Sequence, residues 1–236
     1  MKHRIAIDSL AREFRLLRNR IEAEIHAPAV ILVTSATERD GTALTAYGLA
    51  ESMSRAHQRA ALVTTSAPSI AAPEWALPSQ PAFRRRANDR LEAGTAEMPG
   101  GLSVVAISHE RLTTLSRSSV AGMVADLRSK HDYVVIDGGD LPNNSFALLL
   151  VASVDAVLLS FVAGRQETPA DRVMLDTLER SEAKILGVSM NDQATIDHFE
   201  QRETVLEPEP MMNVEKSANP LRARLEITLQ RIGKAL

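Results

Sequence analysis

The stretch that decides the fold reads Val30-Ile-Leu-Val-Thr-Ser-Ala-Thr-Glu-Arg-Asp-Gly-Thr-Ala-Leu44 and continues to Ala50. Its opening apolar run, without alternation, predicts a strand buried on both faces. A short polar loop ending at Gly41 follows, and the next segment predicts a helix over 42–56. A strand that feeds a loop at a helix N-terminus is where backbone N–H groups can hold an anion. Alone this signal is weak, because neither Gly-Lys-Ser/Thr nor paired glycines is present.

The same alternation recurs along the chain. Strands are predicted at 30–33, 60–63, 102–107, 133–136, 156–162 and 185–189, and helices at 42–56, 118–130, 145–152 and 169–181. This is the pattern of an α/β protein with a doubly wound, mostly parallel sheet and helices on both faces. Ligands of such sheets bind beyond the carboxyl ends of the strands. That directs inspection to 34–43, 64–66 and 137–143.

Around the core (28–192) the sequence suggests a helical leader (1–27), a polar, flexible connector (193–218) and a C-terminal amphipathic helix (219–236). The last begins Asn219-Pro220 and carries Leu221, Leu225, Leu229, Ile232 and Leu236 at helical spacing. It is suited to packing on its own domain, or to docking on a partner or an anionic membrane surface. A proline-rich excursion between 67 and 101 contains Arg84-Arg85-Arg86, either a solvated loop or a surface for an acidic partner.

The 236 residues carry a net charge of −3 and no cysteine. Near-neutral charge argues against a dedicated nucleic-acid binder. Disulfides, thiolate metal sites and cysteine nucleophiles are excluded. No histidines fall at i, i+4 spacing, so no histidine metal site is expected. The longest apolar run, 146–154, is far below the roughly 20 residues that a membrane span needs. No signal peptide is visible after Met1-Lys2-His3-Arg4, and a cytoplasmic protein is expected. Of 27 basic residues only five are lysines, and none lies between residues 3 and 129.

Several segments, in the same order, resemble bacterial tyrosine kinases of capsule and exopolysaccharide systems, within the ParA/MinD-like P-loop superfamily. Phe14-Arg-Leu-Leu-Arg18 resembles their "FRxLR" leader and 30–50 their phosphate-binding loop. Residues 131–142 resemble "YDYVIIDTPP", 146–164 resemble "DALLLARLVDGVLLVVRAG", and 184–191 resemble "KVLGVVLN". The resemblance implies nucleotide contacts at Thr37, Glu38, Arg39, Asp40, Gly41, Thr42, Ala43 and Asn191, with Asp137 at the Mg²⁺ position, if such binding is retained.

The departures from that pattern are informative. Thr42 and Ala43 stand where the family carries the phosphate-neutralising lysine and the Mg²⁺-binding hydroxyl. Thr37 occupies the place of a second lysine. Glu38 and Arg39 replace Pro-Gly, so Glu38 and Asp40 oppose a polyphosphate, with Arg39 the nearest compensating charge. Thr64 and Ser66 replace two aspartates of the next strand. Asp137 is then either a vestige of the metal site or a strand-end carboxylate capping Gly138-Gly139. The two tyrosines, Tyr47 and Tyr133, both precede the tail that carries the acceptor cluster in the family.

Family assembly through Glu-x-x-Arg-x-x-Arg is also altered. Arg15 and Arg18 match, but Arg12 takes the glutamate's position, and Glu13 is rotated by about 100°. Arg12, Arg15 and Arg18 are expected to form one basic face, either solvated or open to an acidic partner.

The reading is a catalytically inactive kinase-like module of polysaccharide synthesis and export. It would bind a membrane co-polymerase (chain-length regulator) or an active kinase homologue at the inner face of the membrane. No cofactor is expected, with ATP or ADP and Mg²⁺ only if the altered loop still binds. The alternatives are an ATP-binding tyrosine kinase or slow ATPase, and a MinD-like membrane-associated positioning protein.

Overall fold

The computed structural model describes residues 5–56, 58–64, 84–85, 91–92, 95–97, 100–107 and 115–197. The strands and helices predicted within 28–192 all appear, with shifts at their ends. In chain order they are α1 (Ile5–Glu24), β1 (Ala29–Ser35), α2 (Thr42–Arg55), β2 (Ala60–Thr64), β3 (Arg84–Arg85), β4 (Leu91–Glu92), β5 (Thr95–Glu97) and β6 (Ser103–Ala106). There follow α3 (Arg117–Lys130), β7 (Tyr133–Asp140), a 3₁₀ turn (Leu141–Asn143), α4 (Ser145–Val151), β8 (Ala156–Val162), α5 (Pro169–Arg180) and β9 (Ile185–Asn191). The described part of the connector is a helical turn at 193–197. The rest of the connector, the expected C-terminal helix, Ser66 and Arg86 lie outside the described residues.

Seven strands form one sheet in the order β5-β6-β2-β7-β1-β8-β9. All neighbours are parallel except β5 against β6 at one edge. A separate antiparallel pair, β3 and β4, holds Arg84 and Arg85.

Every residue of β1 is buried, which is why the run shows no alternation. Ile31, Val33, Leu62 and Val135 face α1 and α2. Val30, Leu32, Val134, Ile136 and Val157 face α3, α4 and α5. Each such aliphatic side chain contributes about 1.5–3 kcal/mol on burial.

Local chemistry fixes the helix starts. Ser116 accepts the Ser119 N–H at α3, and Asn144 accepts those of Phe146 and Ala147 at α4. At α5 Thr168 and Asp171 form a reciprocal capping box, with Pro169 in the first turn. The leader helix is seated by one close approach: a Cβ on Gly48 of α2 would lie 2.2 Å from the Phe14 ring. Glycine lets that ring approach the helix backbone where a side chain would clash.

Candidate functional site

The strands converge at their carboxyl ends on the loop between β1 and α2. Asp137, on β7, is buried there. Its carboxylate accepts the Gly139 N–H at 3.1 Å and also hydrogen-bonds the hydroxyls of Thr42 and Thr64. Burial pushes its pKa up to about 6, and the three donors pull the other way without cancelling the burial. Thr42, from the start of α2, and Thr64, from the end of β2, thus meet on one carboxylate. The Gly139 bond is the capping role that the sequence left as one of two alternatives.

Asp40 is fully buried and is tied on every side. Its carboxylate accepts from Thr37 N (3.2 Å), Thr37 Oγ1 (2.8 Å) and Val162 N (3.2 Å). Arg165 adds Nε at 2.6 Å and Nη2 at 3.0 Å. The same guanidinium bridges to Asp171, with Nη1 donating to Oδ2 at 2.8 Å. It also lies over the Phe161 ring, 4.8 Å from the centroid.

Asp171 is held well below the usual carboxylate range, first by the Arg165 hydrogen bond. Arg165 is pushed up, first by its hydrogen bond to Asp171. The counter-charge expected of Arg39 therefore comes from Arg165, because Arg39 and Glu38 are both exposed. Sequence reasoning missed Arg165 and Asp171. The only local signal was the Thr168-Pro-Ala-Asp171 capping pattern.

Asn191 closes the site from β9. Its Nδ2 donates to the Asp40 carbonyl (3.0 Å), Thr45 Oγ1 (3.1 Å) and Ser160 Oγ (2.8 Å). Gly41 adopts φ 74°, and a Cβ there would lie 2.9 Å from the Ile196 side chain. Ile196, on the 193–197 turn, is 1% exposed and packs with Phe14, Leu44 and Val162. Asp192 caps this turn by accepting the Thr195 N–H. Ala43 is half-buried and offers only a methyl group. No group of three or more His, Cys, Asp or Glu fit to hold a metal occurs among the described residues.

The basic face on α1 is only partly as expected. Arg12 and Arg15 are exposed. Arg18 turns onto its own domain, donating to the Ser52 carbonyl at 2.9 Å and lying 3.6 Å from Glu22. The three arginines therefore do not form one open stripe. Tyr47 and Tyr133 are 1% and 4% exposed, respectively.

No protein-family model and no curated protein matches the sequence. Solved structures do match the fold. The kinase domain of Escherichia coli tyrosine kinase ETK superposes with a TM-score of 0.61 at 18% identity, covering 77% of this chain and 75% of that one. The VpsO kinase domain gives 0.58 at 20% identity, covering 79% and 94%. Cobyrinic acid a,c-diamide synthase from Mycobacterium smegmatis with bound ADP and magnesium gives 0.55 at 11% identity, covering 76% and 82%. The structural neighbours are thus tyrosine-kinase domains and a nucleotide-bound diamide synthase, and the chain has their P-loop NTPase-like fold.

Proposed function

We propose that this chain is a kinase-fold module that transfers no phosphate and works by binding a protein partner in exopolysaccharide or capsule export. The observation that carries the reading is the closed set Thr42–Asp137–Thr64. A Mg²⁺–nucleotide needs a cation on the β/γ-phosphates and an oxygen ligand on the metal. At the matching positions stand a short hydroxyl already engaged with Asp137 and the methyl of Ala43. Asp40 is saturated by Arg165, so it adds no free ligand.

The residues present therefore do not fit Mg²⁺-ATP, although ADP and magnesium are bound by the synthase that shares the fold. The two buried tyrosines offer no acceptor on the described surface.

Arg12 and Arg15 are the groups left to meet an acidic partner, a membrane co-polymerase or an active kinase homologue. The whole reading is tested by phosphotransfer assays of the wild type beside Thr42→Lys/Ala43→Ser. The wild type should transfer nothing, while the double variant should gain nucleotide binding. Wild-type transfer that is abolished by Asp137→Ala would show an active kinase instead.

A further inference from the structure

Among the described residues seven large apolar side chains are exposed, and five cluster between residues 173 and 190. Val173 and Leu175 lie on α5; Ile185, Val188 and Met190 lie on β9. Strand β9 is an edge, with β8 its one sheet neighbour among the described residues. Its sequence, Ile185-Leu-Gly-Val-Ser-Met-Asn191, contains no charge and no proline, the devices that normally block strand addition. The opposite edge, by contrast, is the three-residue β5, which includes Glu97.

The register of β9 gives the exposed residues a common direction. Ile185, Val188 and Met190 pair with Val157, Leu159 and Phe161, which alternate along β8 and so share one face. Leu186 is the extra residue of a bulge between the first two pairs. The three side chains on that face are 43%, 51% and 61% exposed. The strand is also flanked by opposite charges, Lys184 before it and Asp192 after it, both exposed.

We infer that β9 pairs antiparallel with β9 of a second copy of this chain, about a two-fold axis at Val188. The two sheets then become continuous. Val188 meets its counterpart, and across the bulge Met190 faces Ile185 of the second copy. With the bulge counted, Lys184 of each copy falls opposite Asn191 of the other, one residue from Asp192. A parallel pairing would place Lys184 beside Lys184 and Asp192 beside Asp192, so the charges select the antiparallel arrangement. Such an interface is isologous and closed, which limits the assembly to a dimer. A strand pair of this length buries less than a standard interface of about 1,600 Å², so dissociation on dilution is part of the expectation.

Sedimentation of the full chain from micromolar to near-millimolar concentration tests the pairing. A concentration-dependent dimer is expected. Val188→Lys, which sets like charges opposite each other, should raise its Kd by about tenfold or more. Because the chain has no cysteine, Val188→Cys should form a disulfide dimer on oxidation, the paired positions being within bridging reach. Leu148→Cys on α4, also exposed, should not. A wild type monomeric at every concentration overturns the proposal. So does a dimer unchanged by Val188→Lys, or equal cross-linking of Leu148→Cys.

Discussion

Two buried carboxylates at one loop meet opposite electrostatic fates. Asp137 has hydroxyl and amide donors but no cation, so burial dominates and its pKa rises from 3.8 to about 6. A raised carboxylate favours the folded state when protonated. Its contribution is complete below the unfolded value and is lost as pH rises through about 6. Asp137→Asn should therefore flatten the stability profile between these values. At neutral pH it should stabilise by up to about 3 kcal/mol in urea unfolding; a loss of stability there would contradict the assignment.

Asp171 has the reverse sign. Its depressed pKa supplies stability present at neutral pH and lost in acid, as pH falls below the ordinary carboxylate range. Its cation Arg165 also holds Asp40. Removing Arg165 leaves Asp40 buried without a counter-charge, and Arg165→Ala should destabilise by about 3–5 kcal/mol. Adding Asp40→Asn should recover part of that loss. Denaturant unfolding of the single and double variants checks both statements. Arg165 was not legible in the sequence, because its partner Asp40 lies 125 positions away and no periodicity reports such a pair.

At the scale of elements, composition was a good guide where burial is two-sided. The runs at 30–33 and 60–63 are apolar throughout because both faces of β1 and β2 are covered. Helix starts at Ser116, Asn144 and Thr168 followed from side chains that cap their own backbone. Contacts between elements were not readable. Gly48, in the middle of α2, is the seat of Phe14, and the "FRxLR" leader thereby gains a packing role. Gly48→Ala should cost about 1–3 kcal/mol by overpacking, with hydrogen-exchange protection lost first in α1. Gly122→Ala, where a Cβ meets nothing within 4 Å, should instead stabilise by up to about 1 kcal/mol. Equal effects at the two positions would remove the account of how α1 is held.

At the scale of the whole molecule, strand–helix alternation specified a doubly wound sheet, and the structural neighbours share it. What the loop does was legible only by difference. Thr42, Ala43 and Thr64 stood out only as departures from the pattern the sequence resembles, and the contacts of Thr42 and Thr64 required three dimensions. Thr42 and Thr64 come from separate strand–helix units and meet only where β1, β2 and β7 lie side by side.

In the described region no helix is long and apolar enough to cross a membrane. The central claim is that this fold no longer uses nucleotide, and calorimetric titration of the full chain with Mg²⁺-ATP and Mg²⁺-ADP tests it most directly. The account predicts no heat of binding up to millimolar nucleotide, in the wild type and in Asp137→Ala alike. Micromolar binding that disappears in Asp137→Ala would contradict it.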